Sequence, residues 1–297
     1  MRVSGFSFVR DAVKLDYPVV EAISSILPIC DEFVVSVGKC EDGTAELIES
    51  IDTDKIRILH TEWDPGLFVR GAINAQQTNL ALDECTGDWA FYVQADEVLH
   101  EKFLPVVRES MERNLNRPEV EGLLFNYVHF WGSYETYHTA HNWYGREVRV
   151  VRNGIGVRSW KSAQSFRRNG EKLKVVHSGA DMYHYGWVRH PKVMKTKQKA
   201  LDSLHHDSEW VRRKHPEGAG AELDYGDLRK LARFEGTHPA VMAERIANKD
   251  WTVPIEGKGV KRAKHKHETL RVRLLSFIEN KVLKRKVGEG ANYILIR

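Results

Sequence analysis

The sequence contains few cysteines and no long apolar run. Its three cysteines, Cys30, Cys40 and Cys85, are an odd number without paired spacing, which argues against a disulfide framework and against a zinc site built from cysteines. No apolar run approaches the ~20 residues that a transmembrane helix needs, and residues 1–6 lack the apolar stretch and cleavage site of a signal peptide. We therefore expect a cytoplasmic protein.

Two further kinds of pattern are absent. The chain has no internal repeat and no low-complexity tract, and it has no Gly-x4-Gly-Lys-Ser/Thr motif, which disfavours a P-loop kinase or ATPase. Its composition is that of a globular protein: 42% of its 297 residues are hydrophobic and 29% are charged, so it can bury a sizeable core. This length predicts one large domain, or one domain with an appendage.

The charge is unevenly distributed along the chain. Between Lys258 and Lys286 there are 11 basic and 2 acidic residues, which leaves 34 basic and 39 acidic residues in the rest of a chain of net charge +4. An amphipathic helix is predicted over 269–283, and its apolar face contains Leu270, Leu274, Phe277, Ile278 and Val282. The basic segment either docks on the acidic body or lies on an anionic membrane. No recognition motif supports nucleic-acid binding, which we do not expect.

The first hundred residues alternate between predicted strands and helices. The strand candidates are short, apolar and β-branched, and the helix candidates between them have apolar residues at helical spacing. Strands are predicted at 3–9, 33–37, 56–59 and 89–93, and helices at 16–27, 45–51 and 72–84. Thr44 is the predicted cap of the second helix. This order predicts an α/β fold with a mostly parallel sheet and helices on both faces.

Polar clusters follow three of these strands. Arg10 and Asp11 follow the first strand, residues 39–42 follow the second, and residues 94–97 follow the fourth. In parallel sheets ligands bind outside the carboxyl ends of the strands. Three loops that meet at one edge of the sheet therefore predict a binding site there.

The most informative segment is 87–97, in which a buried strand runs directly into Gln94, Ala95, Asp96 and Glu97. Carboxylates at such a position can hold Mg²⁺ or Mn²⁺, which accept hard oxygen ligands and would neutralise a nucleoside diphosphate. The alternative is a solvated turn after a strand, and residues 87–97 alone do not decide between the two interpretations.

Four motifs, in order and at matching spacing, resemble the nucleotide-sugar half of glycosyltransferase family 2. An Arg-Asn-Glu-like turn is matched by Arg10-Asp11-Ala12, and a Ser-x-Asp-Gly-Thr-like loop by Cys40-Glu41-Asp42-Gly43-Thr44. The family's Asn eight residues before a Gly is matched by Asn79 and Gly87, and its Asp-x-Asp-like motif by Gln94-Ala95-Asp96. The resemblance covers roughly residues 3–190, thinly after 100.

This resemblance implies a GT-A fold, a nucleoside diphosphate sugar as donor, and a bound Mn²⁺ or Mg²⁺. Asp96 matches the metal-binding carboxylate. Gln94 stands where an Asp usually touches the ribose, and its amide can still bond a hydroxyl. Arg10 and Asp42 are the other expected donor contacts, although Asp42 is equally a turn-forming residue before Gly43. The Asp that reads uracil in many relatives has no match, so the identity of the base stays open.

His184 is the second expected metal ligand. GT-A enzymes often bring a distant His to the metal, and the string His-Tyr-Gly-Trp at 184–187 resembles such a segment. A neutral imidazole fits the position that Gln94 leaves without charge. The alternative is a structural histidine among aromatic residues. Arg189 and Lys192 either meet phosphate or belong to a solvated face.

The pattern changes after Glu121. Strands are predicted at 123–127 and 147–152, a helix at 192–204, and a polar loop or lid at 205–226. Eight aromatic residues lie between 125 and 144, where they stack on an acceptor sugar or belong to the core. The candidates for stacking are Trp131, Tyr134, Tyr137 and Trp143.

An inverting transferase needs a carboxylate that takes the proton of the acceptor hydroxyl. Glu147 is the first candidate and Asp181 the second, while Glu147 is equally able to pair with Arg149 or Arg152. Inverting stereochemistry is implied by the resemblance only.

The sequence thus predicts a hexosyltransferase-like enzyme that moves a sugar to a glycan or lipid-linked hydroxyl, in the cytoplasm or at the membrane surface. The GT-A domain is expected at 1–240, with a nucleotide-sugar half at 1–100 and an acceptor half at 101–240, followed by a basic helical extension at 241–297.

Two alternatives to a glycosyltransferase stay open. One is a non-catalytic protein that binds nucleotide sugars. The other is a sugar nucleotidyltransferase, which is disfavoured because residues 3–14 lack a Gly-rich basic loop.

Overall fold

The computed structural model describes residues 1–216, 220–256, 264–283 and 292–297. The strands in these residues are β1 (Val3–Val9), β2 (Glu32–Gly38), β3 (Ile56–Thr61), β4 (Trp89–Tyr92), β5 (Glu97–Leu99), β6 (Gly122–Trp131), β7 (Ser133–His138), β8 (Arg146–Arg152), β9 (Val157–Trp160), β10 (Ser165–Arg168), β11 (Glu171–Trp187), β12 (Ala232–Arg233) and β13 (Tyr293–Leu295).

The helices in the same residues are α1 (Val19–Ile26), α2 (Thr44–Glu49), α3 (Ala72–Asp83), α4 (Leu104–Asn114), α5 (Pro191–Ser203), α6 (Ser208–Lys214), α7 (Ala243–Ala247) and α8 (Leu270–Phe277). A π-helical segment, Ile278–Leu283, follows α8. Within the described part of the chain, no helix combines the length and apolar character needed to span a membrane.

The sheet has the strand order β3-β2-β1-β4-β8-β6-β11-β10-β9. Strands β1 to β4 run parallel to one another. Strand β8 is antiparallel to both β4 and β6, and β11 runs parallel to β6. The prediction of an α/β fold is confirmed, with helices flanking a sheet whose first part, β1 to β4, is parallel.

Alternate side chains of the parallel strands enter two separate cores. On one face of the sheet Val9 shares a core with Ile23 of α1, and on the other face Phe6 shares a core with Leu82 of α3. Because helices cover both faces, β1, β2 and β4 are buried almost throughout and have no solvent-exposed face.

The longest strand, β11, has 17 residues and was not predicted. It pairs with β6 along most of its length, with β13 at its beginning and with β5 near its end. The pairing with β5 is antiparallel and sets His184 opposite Glu97. Two register shifts interrupt the pairing with β6, and a residue pattern broken by such bulges lacks the regular alternation that identifies a strand.

The aromatic stretch of the sequence forms β6, β7 and the loop that follows them. Trp131 and Tyr134 are buried, and the indole of Trp131 donates to the carbonyl oxygen of Tyr225 at 2.9 Å. For these two residues the core interpretation is therefore the correct one.

Two local predictions are wrong. Thr44 is the first residue of α2, and Gly43 occupies the cap position; the Thr44 hydroxyl instead donates to Asp42 at 2.6 Å and accepts from the amide of Ala12 at 2.8 Å. The predicted loop at 205–226 contains α6, whose first turn is capped by the side chain of Asp207.

The chain beyond residue 240 is packed against the preceding part of the molecule. Arg245 donates to Glu21 at 2.6 Å and to Asp16 at 2.5 Å, and β13 pairs with β11 in the main sheet. The predicted helical extension therefore includes a strand of the sheet, and the boundary at 240 does not mark an independent unit in the described residues.

The predicted amphipathic helix corresponds to α8 and the π-helical segment. Its apolar face is exposed: the exposed fraction is 79% for Leu270, 62% for Leu274, 60% for Phe277 and 65% for Val282. Of the basic residues counted in this region, those at 258–263 and 284–286 lie outside the described residues.

A fully buried carboxylate, Glu97, fixes the turn that follows β4. Arg149 of β8 donates to both of its oxygens, from Nε at 2.8 Å and from Nη2 at 2.7 Å. The Tyr127 hydroxyl of β6 donates to the same carboxylate at 2.7 Å, and the amide of Gln94 donates to it at 3.1 Å. These contacts determine which way the intervening residue Asp96 faces.

We expect Arg149→Met to lower the free energy of unfolding by about 3–5 kcal/mol, because it leaves a buried carboxylate without its counter-charge. Chemical denaturation measures this loss. Arg158→Met is the matched control, since Arg158 pairs with Asp83 at the exposed surface, where such pairs contribute about 0–1 kcal/mol. Equal losses in the two variants would contradict the role given to the buried pair.

Candidate active site

A cleft of about 240 Å³ lies at the carboxyl ends of β1 and β4. Four residues predicted from the sequence line it: Arg10, Gln94, Asp96 and His184. They belong to separate parts of the chain, and the strand pairing described above brings them together. Other parts of the wall come from α3, α5, the loop between β9 and β10 and the aromatic residues Tyr17, Trp63 and Trp187.

Asp96 is held by a lysine that the sequence analysis did not identify. Lys197 of α5 donates to Asp96 Oδ2 at 2.7 Å and to the carbonyl oxygen of Gly186 at 2.9 Å. Burial opposes the charged form of Asp96, but the ammonium group of Lys197 holds the pKa of this carboxyl well below its usual range. Asp96 is therefore ionised in spite of being buried.

His184 belongs to a chain of two buried imidazoles. Nε2 of His129 lies 2.8 Å from the carbonyl oxygen of Tyr144, which can only accept, so this nitrogen carries the proton. With both rings neutral, Nδ1 of His129 then accepts from Nδ1 of His184 at 3.0 Å. Burial lowers the pKa of His184 and so favours the neutral ring. The remaining nitrogen of His184, Nε2, consequently carries a lone pair.

This lone pair faces the ionised carboxylate: Nε2 of His184 and Oδ1 of Asp96 are 3.7 Å apart. Two electron-rich atoms without a proton between them repel each other unless a cation lies close to both. Metal–ligand distances to such atoms are about 2.0–2.2 Å, so one ion can contact both. An oxygen and a nitrogen donor together suit a first-row divalent ion such as Mn²⁺ better than Mg²⁺, with the remaining ligands left to phosphate and water.

Gly186 makes the close approach of these two groups possible. A Cβ atom at residue 186 would collide with the His184 ring and meet the Asp96 carboxylate. A glycine two residues after the histidine is therefore required by the geometry of the pair.

Lys197 and a second buried cation, Arg189, share the ring of Tyr17. Arg189 is fully buried and donates from Nε to the carbonyl oxygens of Leu15 and Asp16, at 2.8 and 3.0 Å. The Arg189 guanidinium and the Lys197 ammonium both lie over the ring of Tyr17, at 4.8 and 4.4 Å from its centre. Arg189 thus joins the loop after β1 to the end of β11, and the interpretation of this residue as part of a solvated face is wrong.

A groove of about 630 Å³ adjoins the cleft at the carboxyl ends of β1 and β2. Arg10 and Trp63 line both spaces, and the Arg10 guanidinium lies 5.4 Å from the Trp63 ring. The Nε atom of Arg10 and the indole nitrogen of Trp63 are buried and have no hydrogen-bond partner among the described residues. The Arg10 Nε atom lies 3.7 Å from Asp11 Oδ2, and the Trp63 indole nitrogen lies against Gly38.

Asp42 lines this groove, and its contacts are those of a turn residue. Its two oxygens accept from the amide of Lys14 at 2.9 Å and from the hydroxyl of Thr44 at 2.6 Å. Burial opposes ionisation of Asp42, but these hydrogen bonds lower its pKa. A contact between Asp42 and a nucleoside stays a prediction.

Gln94 is positioned by the loop between β9 and β10. Its amide nitrogen donates to the carbonyl oxygen of Ala163 at 3.2 Å and to the Tyr92 hydroxyl at 3.4 Å. The side chain therefore ties that loop to the end of β4. Contact of Gln94 with a ribose stays a prediction.

The structure does not bring Glu147 to the cleft. Glu147 is 2% exposed and accepts from the Asn292 amide at 2.8 Å, and burial raises its pKa. The Glu147 side chain leaves β8 toward Asn292, near the last residues of the chain, and does not line the cleft that contains Asp96. Asp181, the second candidate, accepts from Asn126 at 2.9 Å and also lies outside the cleft lining. The geometry therefore gives the predicted catalytic base no support.

Sequence reasoning missed Lys197, Trp63 and a Ser162–His205 pair at the cleft. A signal for Lys197 was present, because Pro191, Met194 and Lys197 form the buried stripe of α5. A lysine on the buried face of a helix is rare unless it is paired. No comparable signal identifies Trp63 or the pair.

The comparisons with known proteins give distant structural neighbours. S. aureus TarS 1-349 in complex with UDP-GlcNAc shares 13% identity over 72% of this chain and 70% of that chain, with a TM-score of 0.40. Glucosyl-3-phosphoglycerate synthase from Mycobacterium tuberculosis, in complex with Mn²⁺, UDP and phosphoglyceric acid, shares 16% identity over 44% of this chain and 43% of that chain, with a TM-score of 0.30. No family model and no curated protein matches the chain. Likeness at this level decides no function.

We expect Mn²⁺ alone to stabilise the protein through Asp96 and His184. At ten times the Kd, binding to the folded state adds about 1.4 kcal/mol, which raises the melting temperature. His184→Gln should abolish this increase. His206→Gln is the control, because His206 is exposed and stacks on Trp210. A metal-induced shift that persists in His184→Gln would show that the ion binds elsewhere.

Proposed function

We propose that this protein transfers a sugar from a nucleoside diphosphate sugar to a hydroxyl group of a glycan or lipid-linked acceptor. The observation that carries the proposal is the pair of electron-rich atoms, Asp96 Oδ1 and His184 Nε2, which face each other at the carboxyl end of β4. Such a pair suits a divalent ion, and a divalent ion suits a diphosphate. The adjoining groove gives the rest of a nucleotide a place to bind.

The donor is oriented by the junction between groove and cleft. The groove lies where β1 and β2 end, which is where α/β sheets commonly bind nucleotides. At the junction, the Arg10 guanidinium lies over the Trp63 ring and can donate to phosphate oxygens. The nucleoside therefore occupies the groove, and the sugar occupies the cleft beside Gln94.

Asp96 and His184 would hold Mn²⁺ or Mg²⁺. When bound, the ion offsets the charge that develops on the departing diphosphate. Lys197 keeps the second oxygen of Asp96 paired, so the carboxylate stays ionised and fixed. The ring of Tyr17 lies against the Lys197 ammonium group. The chain thereby supplies an acidic ligand whose second oxygen is already paired.

Several finer features belong to the same proposal. The resemblance to glycosyltransferase family 2 implies transfer of a hexose with inversion at the anomeric carbon, and the cytoplasm is the location that we propose. Two other functions on this scaffold predict different chemistry. A non-catalytic protein would bind the sugar nucleotide without turnover, and a nucleotidyltransferase would release pyrophosphate from a nucleoside triphosphate and a sugar phosphate.

We expect the purified protein with Mn²⁺ to bind at least one member of a panel of UDP- and GDP-sugars and to release the nucleoside diphosphate. Asp96→Asn should lower this turnover at least ~10²-fold, because it removes the charged ligand of the ion. Product release is measured by chromatography, and donor affinity by calorimetry.

Asp88→Asn is the matched control, since Asp88 is half exposed and caps the amide of Arg2 far from the cleft. Full turnover in Asp96→Asn would reject the assignment of this residue. A wild-type protein that neither binds nor cleaves any sugar nucleotide, with or without metal, would reject the proposed function as a whole.

A peripheral contact with an anionic membrane is the second part of the proposal. The exposed residues Leu270, Leu274 and Phe277 recur at helical spacing on α8, beside Arg271 and Arg273. An apolar face next to basic residues suits the headgroup region of an anionic bilayer.

We expect the full chain to co-sediment with vesicles that contain phosphatidylserine and to remain in solution with phosphatidylcholine alone. Replacing Leu270, Leu274 and Phe277 by serine should reduce the bound fraction several-fold, since each exposed side chain contributes apolar area. Exposed Val13→Ser and Val69→Ser, on other surfaces, are the control. Equal sedimentation of all variants would exclude this surface as the contact.

A further inference from the structure

A serine and a histidine are hydrogen-bonded to each other in the wall of the cleft. Ser162 lies in the loop between β9 and β10, and His205 follows α5; Ser162 Oγ and His205 Nε2 are 3.1 Å apart. Both residues line the cleft that contains Asp96. Neither has a role in the binding of the donor proposed above.

The direction of this hydrogen bond is fixed by the other nitrogen of the ring. Nδ1 of His205 lies 2.9 Å from the carbonyl oxygen of Leu201, which can only accept a proton. The proton of the neutral imidazole is therefore on Nδ1, and Nε2 carries a lone pair. The Ser162 hydroxyl must be the donor, and His205 Nε2 the acceptor.

The Ser162 oxygen has one position left for a ligand. A hydroxyl has one donor and two acceptor positions. The donor position is used by His205, and the amide of Asn74 donates to the oxygen at 3.0 Å. The second lone pair is left to accept a hydrogen bond from a molecule in the cleft.

The surroundings of the pair hold it in this arrangement. Lys161 and Ala163, on either side of Ser162, have φ values of 55° and 52°, a left-handed conformation that costs of order 1 kcal/mol or more for each residue. Gln94 binds the carbonyl oxygen of Ala163. Gly71 lies against both side chains, and a Cβ atom there would collide with the Ser162 hydroxyl and the His205 ring.

A base other than a carboxylate is needed at this cleft. Among the described residues that line it, Asp96 is the only carboxylate, and it is paired with Lys197. Glu147 and Asp181 lie elsewhere. The imidazole of His205 is the lining group with a lone pair already directed at a hydroxyl.

We propose that Ser162 and His205 form a proton relay that deprotonates the acceptor, an inference that rests on the proposed function. The acceptor oxygen forms a bond to the anomeric carbon as the bond from that carbon to the diphosphate oxygen breaks, and the diphosphate leaves with the electron pair. The acceptor proton passes to Ser162 Oγ while the Ser162 proton passes to His205 Nε2. The imidazolium then returns its extra proton to solvent.

The test uses hydrolysis of the sugar nucleotide, in which water takes the place of the unidentified acceptor. His205→Gln should lower kcat by ~10²-fold or more, the usual contribution of general base catalysis, and leave the Kd of the donor unchanged. Ser162→Ala should lower kcat to within tenfold of the same value. His206→Gln, at the adjacent exposed residue, should retain wild-type kcat.

Chemical rescue separates a relay from a structural role. Free imidazole should restore part of the turnover of His205→Ala and none of that of Asp96→Asn, because only the former lacks a proton acceptor. If His205→Gln does not fold, Ser162→Ala, with melting temperature as the check, tests the relay in its place.

The relay and the proposed function fail in different ways. A wild-type protein without turnover would overturn both. Turnover in the wild type, with kcat retained in either His205→Gln or Ser162→Ala, would overturn the relay alone. Loss of kcat together with loss of donor binding would assign the pair a structural role and would likewise overturn the relay.

Discussion

The carboxylate of Glu97 must be paired because it is completely buried, and its partners tie together three segments of the sheet. Arg149 of β8, Tyr127 of β6 and the amide of Gln94 all donate to it. Uncompensated, such a charge would cost several kcal/mol. The turn after β4 is consequently rigid, and Asp96 is held in one direction. The same turn meets β11, where the backbone amide of Tyr185 donates to the carbonyl oxygen of Asp96 at 2.8 Å. The site therefore depends on this buried network for its geometry.

Around Asp96 the polar groups are arranged so that each carboxylate oxygen faces a nitrogen of a buried side chain. Lys197 neutralises one oxygen of the carboxylate, and the His129–His184 chain presents a lone pair to the other. The carbonyl oxygen of Tyr144 accepts a hydrogen bond from Nε2 of His129, and this bond determines which nitrogen of each ring carries the proton. Interactions with groups behind a ligand commonly determine its orientation in this way. In the same cleft, the carbonyl oxygen of Leu201 determines that Nδ1 of His205 carries the proton.

The sequence predicts the first half of the fold well because each element there has its own periodic pattern. Four parallel strands and three helices follow from spacing alone, and the order of strands brings Arg10, Gln94 and Asp96 to one edge. His184 could be proposed because a resemblance pointed to it, although β11 itself is hidden by its bulges. Glu147 was misjudged because the direction of a strand side chain depends on a register that no local pattern gives. Ser162 meets His205 because Lys161 and Ala163, on either side of it, have the left-handed backbone conformation. Lysine and alanine rarely adopt this conformation, so the sequence does not indicate it.

The nitrogen donor of His184 also determines which ions compete for the site. A site made only of oxygen atoms favours Mg²⁺ and Ca²⁺, whereas an imidazole shifts the preference toward later first-row metals, in the order Mn²⁺, Fe²⁺, Co²⁺, Ni²⁺, Cu²⁺. An ion bound between Asp96 and His184 would therefore meet competition from copper and zinc, which would bind more tightly without being suited to an octahedral diphosphate complex. Activity would then follow the balance of metals available to the protein, and not the total concentration of divalent ions.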